Sequence, residues 1–316
     1  MSAFHFGNIG VLMGGGSSER DISLRSGSAV YESLIAAGYA VKSIDINTSD
    51  HQKIKDLIKE SKIEVAFIAL HGRLGEDGQI QSILEELDLP YTGSGTTASQ
   101  KAFNKIIAQE VFKNAGLSVP ENFCISNGEL VHFKEPFSAL KKLPFVVKAA
   151  CEGSSIGITM VRHPSQWEAA LRDALSYGPY VIVEKFIKGR EVTAGVFNGE
   201  ALPLVEIVAR NPLFDYNSKY QKGLTDYVVP ADLPEKLTKN IQEMAVSAYN
   251  AIGCEGFARV DIRIDEAGAP YILEINTIPG FTETSLFPKA AAKAGFDFLK
   301  VCERLLELAY GKKIKH

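Results

Sequence analysis

Near the C-terminus, Arg259, Asp261, Arg263, Glu274 and Asn276 have the residue types and spacing to gather oxygen ligands beside cations. They fall in two runs that read as strands, Arg259 to Arg263 and Tyr271 to Asn276, joined by a turn at Glu266-Ala267-Gly268. Side chains alternate faces along a strand, so Arg259, Asp261 and Arg263 share one face, and Glu274 and Asn276 share one face of the next. Antiparallel pairing in a suitable register would cluster Asp261, Glu274 and Asn276 with Arg259 beside them. Carboxylate and amide oxygens suit magnesium, which is held by few protein groups and keeps positions open for phosphate. The same pattern also fits the polar face of a half-solvated hairpin, so the other loops must decide.

Five upstream segments bear on that choice. Met13-Gly14-Gly15-Gly16-Ser17-Ser18-Glu19-Arg20 runs from a strand into a helix, where bare amides receive anions, and Glu19 could hold an ammonium group. Glu19 occupies the third glycine position of a dinucleotide fingerprint, and no G-K-[ST] follows, which weakens a dehydrogenase or a phosphate-loop enzyme. His71-Gly72-Arg73-Leu74-Gly75-Glu76-Asp77-Gly78 leaves the C-terminal end of a strand, where ligands of open α/β sheets collect; His71 is best placed to reach one. Lys148-Ala149-Ala150-Cys151-Glu152-Gly153-Ser154-Ser155-Ile156-Gly157 offers amides, hydroxyls and a lysine that could fold over phosphates, with Lys105 on the preceding helix as a second cation. Val181 to Glu191 reads either as a nucleobase edge, through the backbone of Lys185 and Ile187 with Glu191 on ribose hydroxyls, or as a plain hairpin. Asn211 to Tyr220 is polar and aromatic without a period, as a closing lid would be, with Lys219 and Tyr220 able to cover a carboxylate substrate. Beyond the last strand, Thr277 to Ser285 turns into a helix, so that the Gly280 amide and Ser285 hydroxyl could face the reacting centre.

The elements that must position these groups follow from periodicity. The first ninety residues alternate apolar strands, Ile9 to Leu12, Ala40 to Ile46 and Val65 to Leu70, with helical patterns, which predicts a parallel α/β layer. A single helix is expected from Thr97 or Ser99 towards Ala115, closed by Gly116 and Pro120. Short strands and glycine turns from Phe145, with a helix over Trp167 to Leu175, predict an α+β unit. A further sheet is expected from Thr193 to Val208, Arg259 to Ile264 and Tyr271 to Ile275, with helices over Glu235 to Ala251 and Asp297 to Tyr310. At 316 residues and 46% hydrophobic, the chain can bury the cores of two or three such units. A net charge of -4 gives no electrostatic reason for a nucleic-acid or anionic-membrane partner. No signal-length or membrane-spanning apolar run occurs, and Cys124, Cys151, Cys254 and Cys302 lack paired spacing; cytoplasmic residence with reduced thiols is expected.

Together GGGSSERDISL, HGRLGEDG, EGSSIG, FDYNSKY with TDYVVPA, and RVDIR with EINTIPGFTETSL resemble the D-alanine:D-alanine ligases of the ATP-grasp superfamily. The resemblance spans nearly the whole chain. It implies an ATP-grasp fold, α/β and α+β, with an N-terminal Rossmann-like parallel-sheet substrate domain over residues 1–96. A central subdomain over 97–186 and a C-terminal one over 187–316, with a lid loop at 209–230, would hold ATP between them. Asp261, Glu274 and Asn276 would be ligands of magnesium or manganese, two ions in all, with Lys105 and Lys148 on phosphate. Glu184, Lys185, Phe186, Ile187 and Glu191 would contact adenosine. Glu19 would anchor the first D-alanine's ammonium, linked through Ser154 and Tyr220 to the lid, and His71 would face that substrate. Ser285 and Lys219 would bind the second carboxylate, while Arg259 and the Gly280 amide would stabilise the charged intermediate. The resemblance further implies a homodimer serving cell-wall precursor synthesis. The phosphate loop departs from many relatives by Ala149 after the lysine and Cys151 before the glutamate, and the lid by Asn217.

In the mechanism so implied, one D-alanine carboxylate attacks the γ-phosphate of ATP and the amine of the second opens the acyl phosphate. A ligase taking D-lactate second is the neighbouring alternative, against which Tyr220 speaks. A non-catalytic ATP-binding regulator is the alternative of another class, and must explain Arg259, Asp261, Glu274 and Asn276 together.

Overall fold

The computed structural model describes residues 6–127, 134–154, 156–209 and 225–312. The chain opens as β1 (Ile9–Gly14), α1 (Arg20–Ala36), β2 (Val41–Ile46), α2 (His51–Ser61), β3 (Val65–Ile68) and α3 (Gln79–Glu86). The strands form a parallel sheet in the order β2-β1-β3, and β1 and β3 are buried along their whole length. That fits their continuous apolar sequences, because parallel strands are covered on both faces. Ser23 in α1 joins the strand ends: its hydroxyl accepts from Gly14 N at 2.9 Å and donates to Ala69 O at 2.7 Å.

The single helix expected from Thr97 or Ser99 is two, α4 (Thr96–Phe103) and α5 (Lys105–Asn114). Asn104 breaks it by adopting extended dihedrals, and its side chain accepts from Ile106 N and Ile107 N, capping α5. Such a cap is worth about 1 kcal/mol and turns Lys105 into the first residue of a helix.

Next come β4 (Asn122–Ser126), α6 (Lys134–Leu140), β5 (Phe145–Ala149), β6 (Ile158–Val161), α7 (Trp167–Leu175) and β7 (Tyr180–Lys185). Their antiparallel sheet runs β4-β7-β5-β6 and packs Phe145, Val147, Val181 and Val183 against Trp167. The remainder is β8 (Gly189–Phe197), β9 (Glu200–Ala201), β10 (Val205–Ala209), β11 (Thr225–Val228), α8 (Glu235–Ile252), β12 (Phe257–Asp265), β13 (Pro270–Asn276), α9 (Leu286–Lys293) and α10 (Phe298–Lys312). This sheet runs β11-β10-β8-β12-β13, with β9 paired to β8. The plain-hairpin reading of Val181 to Glu191 does not hold, since β7 and β8 belong to different sheets and residues 186–188 cross between them. The end of the stretch before Pro230 is strand β11, paired with β10.

Among the described residues three cores hold these layers. One lies within the β4–β7 unit; one lies under the larger sheet with α8 and includes Ala102, Ala108 and Phe112 of α4 and α5. The third joins the first sheet to the chain's end: Val301, Cys302, Leu305 and Leu306 of α10 share it with β1 and β3. Tyr39 donates to Glu303 at 2.6 Å, and the Tyr310 ring stacks 6.2 Å from Phe6 while its hydroxyl donates to the Phe6 carbonyl.

Candidate active site

Strands β12 and β13 place Asp261 directly opposite Glu274 and Arg259 opposite Asn276. A register shift between Asp261 and Ile262 keeps that pairing local to the cluster. The apolar residues Val260, Ile262 and Ile264 enter the core beneath, which turns the polar face towards the cleft. Arg259 holds Asp261 at both carboxylate oxygens, each at 2.8 Å, and Asn276 Nδ2 donates to Asp261 Oδ2 at 3.3 Å. Lys105 reaches Glu274 at 3.2 Å from the start of α5 and also donates to the Glu152 carbonyl. Burial opposes ionisation of Glu274, but Lys105, Lys148 and Arg259 outweigh it and hold the carboxyl down at about 2.

From the four-stranded sheet, Lys148 on β5 pairs with Glu184 on β7 at 2.6 Å, both nearly fully buried. Gln109 Nε2 donates to the other Glu184 oxygen, and Asn122 donates to Gln109 in turn. Glu191 on β8 meets Arg263 on β12 at 3.1 Å, and the Arg263 guanidinium lies 5.0 Å over the Phe186 ring. Lys185 ends β7, where its N donates to Glu121 O at 2.8 Å, and Phe186 and Ile187 occupy the crossing between the sheets.

The opposite wall comes from the first sheet. Glu19 stands at the N-terminus of α1, and Ser154 Oγ donates to its carboxylate across the cleft. Gly72 and Gly153 lie against that carboxylate: a Cβ on either would fall 2.6 or 2.7 Å from Glu19 Oε2, so side chains there would displace it. Burial raises the Glu19 carboxyl pKa, and the Glu76 carboxylate nearby adds to the rise. His71 is buried, with both ring nitrogens taken: Nε2 lies 2.9 Å from Ser26 Oγ and Nδ1 lies 3.0 Å from Ile278 O. Beyond β13, Ser285 sits at the N-cap position of α9, and its Oγ accepts from Thr282 N at 3.0 Å instead of bonding the helix's own amides.

One cavity of about 530 Å³ gathers Glu19, His71, Lys148, Ser154, Glu191, Arg259, Asp261, Glu274, Asn276, Gly280 and Ser285. Lys105, Glu184, Lys185, Phe186 and Ile187 are outside its lining. Lys219 and Tyr220 lie outside the described residues. Ser26, Glu76, Gln109 and Arg73 were missed as contributors. Ser26 is two turns along α1 from Glu19 and Gln109 one turn along α5 from Lys105, a helical-face signal that spacing carried. Arg73 lies in the His71 loop, and its guanidinium bonds Glu152 at 3.0 Å and the Tyr177 carbonyl at 2.8 Å, fastening that loop to the glycine loop after β5.

The donor set fits a hard divalent ion. Two carboxylates and an amide offer oxygen alone, and both carboxylates already attract cationic side chains. Among the described residues no three His, Cys, Asp or Glu side chains group as a metal site. No helix among the described residues is long and apolar enough to cross a membrane.

Two sheets meeting at a cleft that holds Lys148 from one and Asp261 and Glu274 from the other, together with the likeness to known proteins, mark an ATP-dependent ligase of the ATP-grasp fold. The family pattern for the D-ala D-ala ligase N-terminus matches residues 46–94, and that for the C-terminus matches residues 111–307. The chain belongs to the D-alanine–D-alanine ligase family. A D-alanine–D-alanine ligase of Pelotomaculum thermopropionicum is 45% identical over 311 residues, covering 95% of this chain and 96% of the relative. The Bacillus anthracis enzyme crystallised with ATP superposes with a TM-score of 0.86 at 32% identity, covering 99% of both chains. The Enterococcus faecalis VanG D-Ala:D-Ser ligase superposes with a TM-score of 0.82 at 30% identity, covering 96% of this chain and 100% of that one.

Proposed function

We infer that this enzyme joins two D-alanines at the expense of ATP through an acyl phosphate, for peptidoglycan precursor synthesis. The observation that carries the reading is the convergence, on one cavity, of the Asp261–Glu274 pair, Lys148 from the facing sheet and Glu19 from the first.

The chemistry asks for little beyond placement and charge. Glu19, aligned by Ser154, receives the first ammonium, so that substrate's carboxylate points towards the phosphate end. Lys105 and Lys148 hold phosphate, while Glu184, Lys185, Phe186, Ile187 and Glu191 form the adenosine side at the sheet crossing. Asp261, Glu274 and Asn276 hold magnesium or manganese, two ions in our reading, which when bound neutralises the charge that builds on the transferring phosphoryl group. Arg259 and the Gly280 amide stabilise the negative oxygen formed when the second amine attacks. Ser285 with Lys219 binds the second carboxylate, His71 backs the first substrate, and Tyr220 extends the Ser154 link; the roles of Lys219 and Tyr220 rest on the resemblance alone. No protein nucleophile is required, and positioning with electrostatic stabilisation suffices. A cytoplasmic homodimer is part of the same proposal.

Phosphate release should require ATP, a divalent cation and D-alanine together. It should be stronger with D-alanine as second substrate than with D-lactate or D-serine. ATP binding without D-alanine-dependent release would instead mark a regulator.

A further inference from the structure

We propose that Ser26 is a positioning residue for the ligation step, aiming the Gly280 amide at the developing oxyanion through a two-point clamp. This rests on the ligase reading above. Ser26 is fully buried in α1, yet its hydroxyl serves two partners from other parts of the chain. It accepts from Phe281 N at 3.2 Å and lies 2.9 Å from His71 Nε2.

The proton positions follow from the partners. His71 Nδ1 faces the Ile278 carbonyl at 3.0 Å, with Glu76 Oε1 3.6 Å away. Both oxygens can only accept, so Nδ1 carries the ring proton. In the neutral ring Nε2 is then bare and accepts a hydrogen bond from the Ser26 hydroxyl, leaving the Ser26 lone pairs for Phe281 N–H. Every donor in the chain has one acceptor.

The geometry matters because of where the clamp closes. His71 holds the carbonyl of Ile278 and Ser26 holds the amide of Phe281, the residues flanking Pro279-Gly280. The Phe281 ring is already seated among Phe67, Phe257 and Phe298, with centroids 5.5, 5.6 and 5.2 Å away. Apolar packing fixes the ring's place but is non-directional. The two hydrogen bonds supply direction to the peptide between them. The clamp also ties that turn to the helix that begins at Glu19, so the ammonium anchor and the oxyanion donor share one rigid support.

The test is Ser26→Ala, with Ser26→Cys as a weaker donor and acceptor of similar size. Three quantities are measured: kcat for D-alanine-dependent phosphate release, KM for ATP, and affinity for a tetrahedral phosphinate analogue of the dipeptide in the presence of ATP. For Ser26→Ala we expect kcat to fall tenfold or more, the analogue to weaken by the same factor, and KM for ATP to stay within twofold. Ser26→Cys should lose less in both. Ser26→Ala kcat within twofold of wild type, or an unchanged analogue affinity, overturns the clamp. Parallel loss of ATP affinity does so too, since it marks general loosening. Should the alanine variant fail to fold, the cysteine variant decides by the same ratios. A wild-type enzyme that releases no phosphate with D-alanine breaks the ligase reading instead.

Discussion

The two ends of the cavity use the same side chain, glutamate, in opposite electrostatic settings. At the substrate end, Glu19 is desolvated beside Glu76, and its carboxyl is pushed up. At the phosphate end, Glu274 is ringed by Lys105, Lys148 and Arg259, and its carboxyl is held down at about 2. In the proposed role, Glu19 would meet the ammonium as an under-neutralised carboxylate, gaining most when a cation arrives. Glu274 stays ionised, which suits the metal role proposed for it. The difference teaches that the site is polarised along its length before any ligand enters.

The most damaging way to erase this polarity is at the phosphate end. Asp261→Ala or Glu274→Ala should lower D-alanine-dependent phosphate release by about a thousandfold, since metal stabilisation of phosphoryl charge is worth several kcal/mol. Near-normal release from either variant would remove the metal assignment. Next, Lys148→Met leaves Glu184 buried without its cation and should cost about 3–5 kcal/mol in denaturant unfolding. Adding Glu184→Gln should recover a large part, and no recovery would show that the pair is not coupled.

At the substrate end, Glu19→Gln should raise KM for the first D-alanine by about tenfold to a hundredfold, the worth of a charge-assisted bond. In wild type that KM should fall as pH rises through the elevated Glu19 range, because only the ionised form binds ammonium; the glutamine variant should be flat. Stability should move the other way. A carboxyl whose pKa is raised by folding favours the fold while protonated, so its contribution is lost as pH rises through that range. Glu274, depressed, contributes above the ordinary carboxylate range and loses that contribution as pH falls towards 2. The smallest effect belongs to Arg73→Ala, which should change stability by less than about 1 kcal/mol because the pair with Glu152 is half exposed. It should still raise KM for ATP a few-fold if the two loops are held together through it.

Strands with a clear period were legible: the polar alternation from Arg259 to Arg263 located β12, and continuous apolar runs located β1 and β3. Trp167–Leu175 came out at its observed bounds. What escaped depends on local side-chain competition or on long-range partners. The break at Asn104 is a capping choice inside a sequence that otherwise keeps helical period. Which sheet β7 and β8 join is decided by pairings far along the chain. At the site, the charged loops announced themselves by composition, whereas Ser26 and Gln109 matter through one hydrogen bond each to residues named from sequence. His71 read as a substrate-facing group; it lines the cavity, and its ring nitrogens also bond Ser26 and Ile278, bonds that no spacing rule contains.

The packing of α10 against α1 and β3 has a consequence for how the enzyme is made. The first sheet's covering includes Val301, Cys302, Leu305 and Leu306, which a ribosome adds long after β3. Until then β1 and β3 lack part of their apolar cover, so the nascent chain should depend on chaperones while the intervening residues are made, and loss of α10 should send it to proteolysis before the catalytic cleft is ever tested.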